Sequence, residues 1–244
     1  MIKPKSSSQL KQEAKGMMLG KYRTAISVLL TAELILTIVT FFTNPETVIS
    51  ITGAIIQLMI TFIIILLHGI LMVGESAFYL NIACNQPYKL SDLFTGFKLH
   101  PDKAILIQLF IQVLSLLPMI PPIVVLVVFF LTSAKAELFL IFCILLIIGC
   151  FISWGIALSY SQSYYLLLDF PNYNTKQLLK MSRKIMKGNI GRLLYIQVSF
   201  IPMTLLGLIS FGLGLLFIKP YQNMTYALFY LNLIQCRNSA VNDM

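Results

Sequence analysis

Apolar positions fall into six long runs separated by short polar connectors. The first, Thr24 to Phe42 (TAISVLLTAELILTIVTFF), has 19 residues. At 1.5 Å per helical residue it reaches about 28 Å, close to the roughly 30 Å hydrocarbon core of a bilayer. It is too long for a signal-peptide core, and TNPET follows it instead of a small-residue cleavage site, so a retained span is expected. The second run extends from about Val48 to Val73, with a helical continuation through Leu80. The third begins at Ala104 and meets Pro118, Pro121 and Pro122 in LPMIPP. Proline there must kink or end the helix, so Ile123 to Leu131 is either a bent continuation or an outer-surface segment. The fourth run goes from Leu138 to about Leu168 and stops at Asp169-Phe170-Pro171.

From Leu193 to Phe217 the chain is apolar again but contains Phe211-Gly212-Leu213-Gly214. That glycine pair predicts a tight turn. A fifth span of Leu193 to Ser210 and a sixth of Leu215 to Gln235, kinked near Pro220, follow from it. The expected fold class is an all-α polytopic membrane protein with about six transmembrane helices, forming a single membrane domain over residues 1–244.

Short amphipathic segments precede spans 1, 3 and 5. Leu10, Ala14, Met17 and Met18 share a face that ends at Gly20. Leu90, Leu93, Phe94 and Phe97 recur at helical spacing around Gly96. Leu178, Met181, Ile185 and Met186 form a third face before Gly188, opposite Lys176, Lys180, Arg183 and Lys187. Such patterns predict interfacial helices. Each helix–glycine–hairpin combination suggests a repeat unit, with boundaries near 1–80, 81–168 and 169–244. Chance similarity between amphipathic segments is the competing explanation.

Composition strengthens the membrane reading. Apolar residues make up 58% and charged residues 11%, against about 25% charged in ordinary globular chains. Of the 18 Lys and Arg residues, six precede span 1, three separate spans 2 and 3, six separate spans 4 and 5, and Arg237 follows span 6. Only Lys135 and Lys219 fall elsewhere. The positive-inside rule then places both termini in the cytoplasm of a cell-membrane protein. The net charge of +9 does not point to nucleic acid, because Lys176, Lys180, Arg183, Lys184, Lys187 and Arg192 belong to an amphipathic stretch. The partner expected for them is the anionic inner leaflet of the bilayer. Other membrane proteins are further candidate partners.

The runs SYSQSYYLLLDFPNYNTKQLLKMSRKIMKGNIGRLLYIQVSF and GLGLLFIKPYQNMTYALFY resemble a bacterial integral-membrane family catalogued as domain of unknown function number 975. Matching positions are Tyr160, Tyr164, Asp169, Pro171, Ser182, Arg183, Met186, Gly188, Ser199 and Phe200. They continue with Gly212, Gly214, Pro220, Tyr221, Phe229 and Tyr230. LKQEAKGMMLGKYRTAI and KLSDLFTGF extend the likeness over most of the chain. Ile201-Pro202 departs from the glycine-tryptophan more usual there. The resemblance implies a six-span bacterial membrane protein and carries over no catalytic residues.

Candidate chemistry is sparse. Glu33 sits in the middle of span 1, where a charge costs at least ~2.5–3.5 kcal/mol. It is either a proton- or cation-linked carboxylate or a hydrogen-bonded packing residue. His68 and Glu75 lie seven apart on span 2 and can share a face. Gln57, Gln108, Gln112 and Gln197 could line a polar path or simply join helices. Lys219 is expected to snorkel outward. Gly53, Gly69 and Gly74 suit close helix packing. The four cysteines show no metal or redox spacing and read as packing residues. No phosphate-binding loop, nucleophile elbow or HExxH occurs, so neither an enzyme nor a cofactor is expected. A non-enzymatic accessory or scaffold protein in envelope maintenance or peptide immunity is the first expectation. A small transporter or translocator of a lipid, peptide or ion is the alternative.

Overall fold

The computed structural model describes residues 4–41, 51–132 and 136–242, and every regular element among them is helical. Phe42, Val48 and Lys135, which entered the sequence reading, lie outside the described residues. Helix α1 (Ser7–Met18) leads into α2 (Tyr22–Phe41) and α3 (Ile51–Ala83). A 3-10 segment (Leu90–Phe94) runs into the single turn of α4 (Thr95–Lys98). Then come α5 (Pro101–Leu116), a 3-10 turn (Leu117–Met119), α6 (Ile120–Leu131), α7 (Ala136–Tyr160) and α8 (Ser163–Asp169). Helices α9 (Thr175–Met186), α10 (Ile190–Ile209) and α11 (Leu215–Asn242) complete the chain.

Five stretches are long and apolar enough to cross a membrane: Tyr22–Phe41, Thr52–Ala83, Pro101–Leu131, Ala136–Asp169 and Ile190–Ile209. This is an all-α polytopic membrane protein. The LPMIPP segment passes through a 3-10 turn without ending its span, which runs as one stretch from Pro101 to Leu131. That turn lies against α7, where a Cβ on Gly149 would come within 2.7 Å of the Pro118 carbonyl oxygen. Ser153 of α7 donates to the Ser115 carbonyl at 2.6 Å, supplying a partner where proline interrupts the backbone ladder. Ile123 to Leu131 is therefore the continuation of the third span.

Helix α11 differs from the expected sixth span, because it is not among the five apolar stretches. Its environment gives the reason. Met224, Thr225, Ala227, Phe229, Tyr230 and Asn232 are all buried, and α11 packs against α1, α2, α3 and α10. A helix surrounded by protein needs no lipid-compatible surface, so its sequence tolerates polar side chains. Pro220 lies within it without ending it. The preceding turn is as predicted, with Gly212 at φ +82°. A Cβ on Gly214 would fall 2.7 Å from the Gly207 Cα.

The fourth apolar run divides into two helices. At the break, Ser161 Oγ donates to the Leu158 carbonyl (2.8 Å), and Gln162 Nε2 donates to Ser161 Oγ (2.8 Å). Local side-chain bonding of this kind competes with the helical ladder. The short helix α8 that follows has Ser163 to Leu167 buried.

The amphipathic helices cover protein with their apolar faces. Ser6 and Gln9 cap α1 reciprocally (3.3 and 2.8 Å), as in a capping box. Leu10, Ala14 and Met18 are buried. The Lys5 amide donates to Asn232 Oδ1 (3.2 Å), Tyr221 OH donates to the Lys11 carbonyl (3.1 Å), and the Tyr22 ring lies 5.8 Å from that of Phe217. Helix α1 therefore runs antiparallel along α11. Helix α9 buries Leu178, Leu179, Ile185 and Met186 against α7 and α8. Ser182 Oγ fastens it to the Ser159 carbonyl at 3.0 Å.

The central amphipathic segment departs from expectation. Leu93 is buried, but Leu90, Phe94 and Phe97 are exposed. Gly96 is not the counterpart of Gly20 and Gly188. It is buried where a Cβ would sit 2.1 Å from the Ile70 carbonyl oxygen. The left-handed residue after α4 is His100 (φ +49°), two positions past Lys98. Gly20 (φ +76°) and Gly188 (φ +84°) stand two positions past Met18 and Met186.

Candidate polar site within the membrane helices

Helices α2, α3 and α11 bring three of the sequence-predicted residues together. Glu33, His68 and Glu75 line a cavity of about 250 Å³, with Lys219, Asn223 and Tyr226 of α11 opposite. Lys219 does not extend away from the protein. Its Nζ lies 2.8 Å from Glu33 Oε1, because a carboxylate on the neighbouring helix offsets the cost of an ammonium on a span. Asn223 Nδ2 donates to Glu75 Oε2 at 3.2 Å.

A second lobe of about 170 Å³ adjoins the first, sharing Met72, Glu75, Asn223 and Tyr226 with it. Gln197 lines this lobe and accepts from Trp154 Nε1 at 2.9 Å. Gln108 lies behind the cavity rather than on its lining. It hydrogen-bonds His68 and accepts from the Tyr164 hydroxyl. Gln57 and Gln112 line neither lobe, and Gln112 is exposed. Gly69 and Gly74 are close-packing positions as expected. A Cβ on Gly69 would be 2.5 Å from Gln108 Cβ, and one on Gly74 would be 1.8 Å from the Leu93 carbonyl oxygen.

The residues missed in the sequence are mainly aromatic. Tyr79 (α3), Tyr164 and Tyr165 (α8) and Tyr226 (α11) wall the second lobe. Tyr165 stacks on Tyr230 with centroids 5.0 Å apart, and the Tyr230 hydroxyl donates to Asp169. A signal for this cluster exists in the sequence. Phe78-Tyr79-Leu80-Asn81 recurs identically as Phe229-Tyr230-Leu231-Asn232, and Tyr164-Tyr165-Leu166 is a near match. The copies stand near the end of α3, in the short helix α8 and in the middle of α11, and Tyr165 links them, lining the lobe with Tyr79 and stacking on Tyr230.

The basic residues divide into two groups. Lys176, Lys180, Arg183, Lys184 and Lys187 are exposed along α9. Arg192 is not a free surface cation. It donates to the Lys5 carbonyl (2.8 Å), Asn232 Oδ1 (3.1 Å) and Asn189 Oδ1 (2.9 Å), and lies over the Phe229 ring at 5.4 Å. A planar guanidinium can join several acceptors and an aromatic face at once, so Arg192 ties the N-terminal segment to α11 instead of facing head groups. Lys11 acts similarly, donating to the Ser199 carbonyl at 3.2 Å above the Phe200 ring. Burial lowers its amine pKa.

No group of metal-binding side chains occurs among the described residues. No disulfide joins the cysteines, and burial, followed by the Asp169 carboxylate, raises the Cys84 pKa.

Fold and site together define a polytopic α-helical membrane protein with a two-lobed polar cavity among its helices. The sequence matches the family described as protein of unknown function (DUF975) over residues 1–237, and the chain belongs to that family. No curated protein and no solved structure matches it.

Proposed function

We propose that the protein is a small transporter or translocator, with the cavity between α2, α3, α8, α10 and α11 as its passage or binding chamber. The observation that carries this reading is the convergence of Glu33, His68, Glu75, Lys219, Asn223 and Gln197, from four long helices, on two adjoining lobes. A purely accessory or scaffold protein has no need of ionisable side chains gathered around one cavity, since each is costly within a bilayer. The reading places the protein in the cell membrane with both termini cytoplasmic, as the clustering of lysine and arginine favours. The exposed basic face of α9 then meets anionic head groups while its apolar face holds the bundle.

Cysteine accessibility tests the proposal. In a chain whose four native cysteines are replaced by alanine, Met72→Cys and Gln222→Cys place thiols on the cavity wall. Leu140→Cys places one on the exposed apolar face of α7. An impermeant thiol reagent applied to sealed vesicles of each orientation should label the first two and spare the third. Cavity cysteines as inert as Leu140→Cys, from both sides, overturn the transport reading and return the scaffold role to first place.

A further inference from the structure

We infer that the second lobe is a receptor for a small organic ammonium ion, a primary ammonium or a quaternary ammonium alcohol, held by Glu75, Gln162 and a wall of tyrosine rings. The inference deepens the transport reading and rests on it for physiological meaning, although the binding chemistry stands on its own geometry.

Three features of the lobe point to a cation. Glu75 supplies a carboxylate at the junction of the two lobes. Its neighbour Lys219 is engaged with Glu33 at 2.8 Å, so Glu75 is hydrogen-bonded by the neutral amide of Asn223. Gln162 supplies an unused acceptor. It is 1% exposed, its Nε2 is occupied by Ser161 Oγ, and its Oε1 has no hydrogen-bond partner. A buried carbonyl oxygen without a donor is costly and calls for one. A primary ammonium N–H is such a donor, and so is the hydroxyl of a quaternary ammonium alcohol such as choline.

The third feature is the wall itself. Tyr79, Tyr164, Tyr165 and Tyr226 line the lobe, and each hydroxyl is already committed elsewhere. Tyr164 donates to Gln108, Tyr226 accepts from Gln222, Tyr165 is bonded to Ser76 and Tyr79 to Asn223. What these residues offer a cation is therefore their rings, with hydroxyl oxygens that can still accept at the edges. Aromatic rings gathered beside a carboxylate favour organic cations through cation–π attraction, which strengthens as the site is desolvated. An anion would meet Glu75 and the orphaned Gln162 oxygen, both repulsive. A neutral apolar molecule would leave both unpaired. The volume of about 170 Å³ suits a compact head such as methylammonium or choline.

Trp154 is the chain's one tryptophan and is hydrogen-bonded to the cavity residue Gln197, so its fluorescence reports occupancy. The purified full chain in nanodiscs is titrated with methylammonium chloride and with choline chloride at fixed ionic strength. Sodium chloride and the neutral choline isostere 3,3-dimethyl-1-butanol serve as controls. A saturable change with an ammonium compound and none with the controls is expected. Glu75→Gln should weaken binding about tenfold or more, and Gln162→Leu several-fold. If Glu75→Gln fails to fold, Gln162→Leu and Tyr165→Leu carry the same test. No saturation by either ammonium compound, an equal response to dimethylbutanol, or affinities unchanged in the folded variants would overturn the inference. Ammonium binding with inert cavity cysteines overturns transport alone. Labelled cavity cysteines without ammonium binding overturn the ligand class alone.

Discussion

Replacing Gly74 with alanine should be among the most damaging single-methyl additions in this chain. The new Cβ would stand 1.8 Å from the Leu93 carbonyl oxygen and 2.5 Å from its carbon. Carbon and oxygen meet comfortably at roughly 3.3 Å, so α3 and the 3-10 segment must separate by about 1.5 Å. Both obstacles are backbone, and no rotamer change relieves them. The same crossing is closed from the other side, where a Cβ on Gly96 would meet the Ile70 carbonyl oxygen at 2.1 Å. Separation at one glycine therefore loosens the other, together with the buried Leu93 and Ile70 side chains. Overpacking costs about 1–3 kcal/mol, and the rigid partner puts Gly74→Ala near 3 kcal/mol. At about 2–4 °C per kcal/mol for a chain of this length, Tm should fall by roughly 6–12 °C. Thermal unfolding of the purified protein, followed by Trp154 fluorescence, measures the change. Gly16→Ala is the control, because no atom lies within 4 Å of its Cβ position and helix propensity favours alanine by up to about 1 kcal/mol. The double variant Gly74→Ala/Gly96→Ala should lose less than the sum of the singles, since one displacement relieves both clashes. A Gly74→Ala protein that melts with its parent would refute the close crossing.

The Glu33–Lys219 pair gives a second expectation. Glu33→Gln leaves the Lys219 ammonium without its carboxylate and should destabilise by less than the roughly 2.5–3.5 kcal/mol of a charge at the bilayer centre, since the side chain is about half exposed, while adding Lys219→Met should restore most of the loss; a double variant no more stable than the single would show that the pair does not act as one. For α9, replacing Lys176, Lys180, Arg183 and Lys187 with glutamine should reduce the anionic lipid that co-purifies with the full chain, each residue contributing about 1 kcal/mol near the surface. Unchanged lipid retention would mean that these charges act in topology alone.

Much of the helical plan was legible because burial in lipid demands long apolar runs. The proline interruption and the glycine turn could be read because their chemistry is local. What escaped depends on neighbours. The polarity of α11 makes sense only once α1, α2, α3 and α10 surround it, and the break before α8 turns on two side-chain bonds at Ser161 and Gln162. Arg192 looked like one more cation in a basic run, and nothing in the run reveals that Asn232 and the Lys5 carbonyl stand beside it. For the site, Glu33, His68 and Glu75 announced themselves as ionisable residues in apolar runs. Lys219 was noted but sent the wrong way, because snorkelling is the default for a lone lysine and its partner lies 186 positions away. Tyr79, Tyr165 and Tyr226 drew no notice, because a tyrosine in an apolar run carries no charge to mark it.

For the three-unit reading, which we propose, the supporting mark is chemical: the aromatic pairs Phe78-Tyr79, Tyr164-Tyr165 and Phe229-Tyr230, one in each unit. Left-handed residues are no such mark, since they stand two positions past α3 and α10, at Asn85 and Phe211, as well as at Gly20, His100 and Gly188. Chance amphipathicity does not predict the repeated pair. The second lobe takes Glu75 and Tyr79 from the first unit, Gln162 and Tyr165 from the second, and Gln197, Asn223 and Tyr226 from the third. A chamber at the junction of three similar units becomes asymmetric where the copies diverge. At the position four before each central tyrosine the units carry Glu75, Ser161 and Tyr226. One copy keeps a carboxylate, another a hydroxyl and the third an aromatic ring. On the proposed three-unit reading, difference at that level gives the junction one acidic wall.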